Sequence, residues 1–363
     1  MKHPPPPPPS SGDTIIKWVT RGSAVLALLF AVIQLVRLVG DTRERQRQIG
    51  ELTRVEQMQA QAGDYPGAWA SLEQALKIAE SGGMLSKLTG QLSADARKVR
   101  EAQEDVAMAW VENLSHGEGK TFSEVTEKLT PIMTRGAADA SGARKADLIA
   151  HLGWASYLES RDGRRSGDPM AQYRAALAVD PANPYAHAFL GHFLERQNAP
   201  MDQVMAEFAA AVAAKRARPF VRQLQIAAAD NRQWDGHPAL VAVVNDMRKQ
   251  GDPIGDVTRH DLFSAYTFAC GFEQNDRGMQ AILAAAPAAE QVATFRALFY
   301  DPAHQPGGGE PPTSRDACLA TLLEAAGDRA EALKTWQALH EAVAKNDVNG
   351  LAARSDAAIK RLK

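Results

Sequence analysis

Residues 172–191, QYRAALAVDPANPYAHAFLG, decide how this chain folds. Tyr173, Ala176 and Leu177 recur at helical spacing and run into Asp180-Pro181. Asn183-Pro184 then opens a second periodic stretch that carries Leu190-Gly191. Proline cannot continue a helix, asparagine caps one, and proline fits a first turn, so the stretch reads as helix, short turn, helix. The unit recurs. EFAAAVAAKR at 207–216 echoes QYRAALAVDP at 172–181, with Phe208 falling 35 residues after Tyr173. Leu190-Gly191 echoes Leu152-Gly153 at 38 residues, the extra length lying in the Arg161–Gly167 loop. Gly63-Asp64-Tyr65 is the turn of an earlier pair, followed by Ala68, Leu72, Ala75 and Ile78. Gly327-Asp328-Arg329 is the turn of a later one, followed by Ala332, Leu333, Trp336 and Leu339.

Further helices without a clean repeat are expected at Ser93–Leu114, Phe122–Thr134, Pro219–Ala229, Pro238–Lys249, Arg259–Phe272 and Arg277–Ala285. A polar helix over Asp41–Ala62, with Leu52, Val55 and Met58 at helical spacing, comes before them, and a capping helix over Asp347–Lys363 ends the chain. Residues 300–314, YDPAHQPGGGEPPTS, read as an irregular insertion. Low aromatic content, abundant alanine and few alternating β-branched runs argue against a sheet.

These units resemble the tetratricopeptide repeat, a 34-residue helix pair. The family's small residue in the first helix corresponds to Gly153 and Gly191, and its small residue early in the second helix to Ala68 and Ala332. Its bulky residue four positions on corresponds to Leu72, Tyr173, Phe208 and Trp336, and its closing proline to Pro181. The match is best over 145–214 and fainter over 49–82 and 315–345; Pro169 departs from it at an early small position, so that helix is expected to start late. The resemblance implies an all-α, right-handed solenoid of helix–turn–helix repeats, divided here into helical domains at 41–214 and 215–363.

Residues 18–40, WVTRGSAVLALLFAVIQLVRLVG, are the one stretch with the length and apolarity of a membrane span. As a helix they would extend about 34 Å, enough for a hydrocarbon core of about 30 Å. We read 15–40 as a single transmembrane anchor behind a tail, 1–14, whose six prolines favour an extended rod. That rod is a spacer or, alternatively, a ligand for an aromatic groove. A cleaved signal peptide is the first rival, but Leu38-Val39-Gly40 lacks the small residue that cleavage needs, and a buried globular helix is the other. Alanine and arginine richness points to a bacterial inner membrane. Lys2, Lys17 and Arg21 lie on the N-terminal flank and Arg37, Arg43, Arg45, Arg47 and Arg54 on the C-terminal flank, so positive-inside counting leans weakly to a cytoplasmic domain, whereas single-anchor bacterial proteins often run the other way, with the domain exported.

The net charge of −2 offers no basic field for nucleic acid. Two local clusters, Arg161/Arg164/Arg165 and Lys215/Arg216/Arg218/Arg222, read as solvated loop and helix faces. Cys270 and Cys318, the two cysteines, permit one bridge in an oxidising compartment, and the simpler reading is two small buried residues. Gly117–Thr121 (GEGKT) lacks the leading glycine and strand of a phosphate loop. The nine histidines show no metal-ligand spacing, and no nucleophile elbow is present. We therefore expect no catalytic residue, metal, cofactor or small-molecule substrate. The candidate site is the concave groove lined by first helices: Asp147, Trp154 and Tyr157, then Tyr185, His192, Glu195 and Arg196. Aromatic groups beside an arginine suit a protein or peptide partner; the simpler reading of Trp154 and Tyr157 is that they pack between neighbouring helices. The expected function is a non-enzymatic membrane-anchored scaffold, with a helical enzyme or a structural part of an envelope or secretion assembly as alternatives.

Overall fold

The computed structural model describes residues 39–81, 91–114, 121–164, 167–232, 235–270, 276–301, 312–345, 347 and 350–363, with Phe30 and Gln34. Among these residues there are sixteen helices and no strand, so the chain is all-α. Helix α1 covers 39–61, followed by α2 (Tyr65–Glu80), α3 (Gln91–Glu112), α4 (Phe122–Asp139) and α5 (Gly142–Arg161). Next come α6 (Pro169–Val179), α7 (Pro184–Arg196), α8 (Met201–Ala213), α9 (Arg218–Asp230), α10 (His237–Gln250) and α11 (Asp256–Cys270). The last are α12 (Asp276–Ala285), α13 (Ala288–Phe299), α14 (Pro312–Ala325), α15 (Arg329–Val343) and α16 (Leu351–Leu362).

No helix among the described residues is long and apolar enough to cross a membrane. The tail 1–14 lies outside the described residues, as does the 15–40 segment apart from Phe30, Gln34, Val39 and Gly40. GEGKT also lies outside them except for Thr121, whose side chain caps α4 by accepting from Glu124 N at 3.3 Å.

The turns form as their residues dictate. Gly63 (φ +79°) and Gly327 (φ +80°) adopt the left-handed conformation that suits glycine. The aspartate after each takes nearly the same backbone angles, φ −82° with ψ 70° or 71°, and caps the next helix through its side chain. Asp168 and Asn183 cap α6 and α7 by accepting from Ala171 N and Ala186 N, at 3.2 and 2.9 Å. Helix α6 therefore starts at Pro169 rather than late, because proline at the first position forfeits no helical hydrogen bond.

Other boundaries move. Helix α4 continues past Thr134 to Asp139: Gly136 is not a stop but a packing position, since a Cβ there would lie 2.5 Å from Glu104 Cδ. Helix α13 has no counterpart in the sequence reading. Helix α14 begins at Pro312, inside the stretch read as irregular; of that stretch 302–311 are outside the described residues.

The contacts gather the chain into two compact units, 1–140 with 158–166, and 141–157 with 167–363. In the first, Ile49, Leu52 and Ala60 of α1 pack with Ala68, Leu72 and Ala75 of α2 and Val99 and Val106 of α3. The inward stripe of α1 runs 49, 52, 56, 60; Val55 and Met58 are exposed, contrary to the expected face. Glu56 is buried in that stripe, and desolvation, helped by the Asp105 charge, raises its pKa.

In the second unit successive helices pack on their neighbours, α7 against α6, α8 and α9. Two glycines let the helices approach. A Cβ on Gly153 would lie 2.6 Å from the Tyr173 ring, and one on Gly191 would lie 3.1 Å from the Phe208 ring. The same small-on-large contact thus occurs in consecutive helix pairs. The joint at 214–217 stays inside this unit, because Arg216 reaches back to Asp147 and Asp180.

Candidate functional site: an aromatic ladder and a neighbouring cleft

The candidate groove residues of α5 and α7 do come together, but most of them face each other. Trp154 stacks on Phe189, with ring centroids 4.7 Å apart and planes at 12°, and on Tyr157 at 5.0 Å. His192 meets the edges of both, 5.2 Å from Trp154 and 5.5 Å from Tyr157. Its Nε2 lies 3.4 Å from the Tyr157 hydroxyl. Trp154 and Tyr157 are each 7% exposed and His192 is 6% exposed. The packing role therefore accounts for the rings: residues 35 apart in a two-helix repeat land on adjacent first helices and stack. Phe189 and Phe220, absent from the sequence reading, extend the ladder with centroids 5.7 Å apart. The signal for Phe189 was the apolar run AFLGHF, read for Leu190-Gly191 and His192; Phe220 stands in a segment without a repeat signature.

The charged members are engaged as well. Asp147 accepts two hydrogen bonds from Arg216, at 2.7 and 2.9 Å, and one from Asn183 Nδ2 at 2.7 Å. The hydrogen bonding to Asp147, aided by the Asp147 and Asp180 charges, raises the Arg216 pKa despite partial burial. Its guanidinium carbon lies 5.8 Å from the Tyr185 ring centroid. Glu195, buried, lies 3.6 Å from Arg232 and 3.4 Å from Arg196. Of the seven residues, Arg196 is exposed and Tyr185 and Asp147 are half-buried.

The basic cluster at the start of α9 is not a solvated face. Arg222 is 4% exposed, donates to Asp252 at 3.0 Å and to Asp246, and bonds Gln225 at 2.7 Å; Arg218 lies 3.5 Å from Asp252. The aspartates follow α9 in sequence, Asp246 near the end of α10 and Asp252 in the turn after it, and both return to the start of α9. Arg161 instead covers the Phe122 ring, and Arg164 pairs with Glu127 at the surface.

Helix α9, the end of α10 and the start of α11 enclose a cleft of about 510 Å³. Pro219, Ile226, Met247, Pro253 and Val257 form its apolar lining, and Val257 is 76% exposed. Asp230 and Asp261 line it too; burial, reinforced by the Asp230 charge, raises the Asp261 pKa. These residues belong to segments without a repeat signature, so nothing in the sequence singled them out. Neither a protein-family model nor a curated protein matches the chain.

Proposed function

We propose that this chain is a membrane-tethered helical scaffold that holds a protein or peptide partner, with a tetratricopeptide-like repeat array as its rigid body. The observation that carries this reading is the repeated glycine-on-aromatic contact, Gly153 against Tyr173 and Gly191 against Phe208. Contacts that repeat between consecutive helix pairs are how a solenoid builds an extended preformed surface. A preformed surface spares a partner the cost of ordering it. In this reading Arg196 and Tyr185 touch the partner, while Trp154, Tyr157, His192, Glu195 and Asp147 back them. The apolar 15–40 segment confines the array to the bilayer and raises the effective concentration of membrane partners.

The exposed Val257 and the acidic cleft around it favour a second docking surface, suited to a segment bearing apolar and basic side chains. Site-specific photocrosslinkers placed at Tyr185, Arg196 and Val257 in the full chain, within membranes, test both surfaces. A discrete adduct at 185 and 196 supports the groove, and one at 257 alone moves binding to the cleft. Failure at all three positions, with the protein folded and membrane-bound, sinks the scaffold reading.

A further inference from the structure

The chain's two cysteines are 48 residues apart in sequence, at the end of α11 and inside α14, and they meet. Their Cα atoms are 5.2 Å apart, within the span a disulfide bridges, and the sulfurs are bonded. Both residues are fully buried, in a core that includes Tyr266, Phe295, Leu319 and Leu322. No cysteine is left free. Buried on all sides, the bridge is shielded from the thiolate attack that reverses exposed or catalytic disulfides. It is a structural cross-link rather than a redox site.

Persistent structural disulfides belong to oxidising compartments, because cytosolic thiol pools keep cysteines reduced. We infer that residues 41–363 mature on the oxidising, extracytoplasmic side of the membrane, so that the scaffold's partners are proteins of that side. This rests on the tether reading above for the membrane, and on the disulfide alone for the compartment. In forming the bond each thiol loses a proton and an electron, and a disulfide-bearing oxidoreductase takes both electrons and becomes a dithiol.

The assignment reverses the side favoured by flanking charge, where three basic residues lie on the N-terminal flank and five on the C-terminal flank. Charge counting governs short flanks, whereas a domain of more than 300 residues translocates largely regardless of it. The bridge is a covalent consequence of compartment, and it outweighs so narrow a difference in charge.

The test uses the full chain expressed in a bacterial host. Thiols are trapped with an alkylating reagent in denaturant, before and after reduction, and spheroplasts are treated with external protease. The expected result is no labelling before reduction, two labels after it, and digestion of the 41–363 domain in intact spheroplasts. Two labels before reduction overturn the inference, as does an oxidised domain that the protease cannot reach. An oxidised protein found free of the membrane pellet overturns the tether and leaves the oxidising compartment standing.

Discussion

Residues 142–157 of α5 with helices α6–α8, and helices α10–α14, belong to the same unit and are held together by different physics. In α5–α8 shape dominates the contacts, beside a few polar pairs such as Asn183 with Asp147 and His187 with Glu207. Glycines face aromatic rings, and a ladder of Trp154, Tyr157, Phe189 and His192 fills the seam. In α10–α14 specific bonds run through the apolar core. Besides the disulfide, Thr294 donates to Asn245 Oδ1 at 2.6 Å and accepts from Arg248 Nε at 2.9 Å. Fully buried Gln291 accepts from the Tyr266 hydroxyl at 3.1 Å and donates to the Ile282 and Ala286 carbonyls. A repeat needs only the next repeat in order to pack. A region without repeats needs particular partners about 50 residues away, and buried polar groups make those partners obligatory.

The largest test of this contrast is removal of the disulfide. Closing a 48-residue loop is worth about 4 kcal/mol in the chain-entropy account. Cys270→Ala with Cys318→Ala should lower stability by about that amount in denaturant unfolding. Hydrogen exchange should place the loss in α11–α14 and leave α5–α8 protected; a loss spread evenly over both would break the comparison.

Trp154→Ala should cost about 3 kcal/mol, the lower end for a large aromatic because the side chain is not completely enclosed. Exchange should rise in α5–α7 while α11–α14 keep their protection.

A finer test lies within the repeats. Alanine in place of helical glycine gains roughly 1 kcal/mol of propensity. At Gly153 the added methyl meets a buried Tyr173 ring at 2.6 Å, so Gly153→Ala should be destabilising on balance, by about 1–2 kcal/mol. At Gly191 the approach is 3.1 Å, and Gly191→Ala should be near neutral by thermal melting. Equal effects would mean that the difference in approach does not decide the outcome and that the two contacts behave as equivalent copies.

The smallest effect concerns pH. His187 Nδ1 lies 2.7 Å from Glu207 Oε2, and that hydrogen bond, opposed by burial, raises the imidazole pKa above its ordinary 6.5. Because the folded value is the higher one, the stabilisation is fully present below about pH 6.5 and fades as pH rises through the folded value. His187→Gln should flatten this slope, a change under about 1 kcal/mol in the α7–α8 pair, read by melting across pH 5.5–8.5.

What could be read in advance follows the range of the forces. Turn chemistry acts over three or four residues, so Gly63-Asp64, Asp180-Pro181, Asn183-Pro184 and Gly327-Asp328 marked helix ends that the structure keeps. The small positions at Gly153 and Gly191 were legible because repetition shows them twice. The α1 face was misjudged because its inward stripe includes Glu56, a carboxylate that hydrophobic periodicity cannot count. Spacing admits both an open groove strip and a packed one, because it gives the helix a residue occupies and the face it lies on, but not whether a neighbouring ring covers it.

The sequence alone determined an all-helical chain, its capped turns, its small packing positions and one apolar segment preceding the helices, all of them local or periodic properties. The tertiary structure decided that Cys270 meets Cys318, that Arg216 returns to Asp147 across 69 residues, and that Trp154 and His192 pack edge to face rather than face solvent. Those outcomes depend on which distant helices become neighbours. That choice is made by the fit of whole faces, to which no short stretch of sequence holds the key.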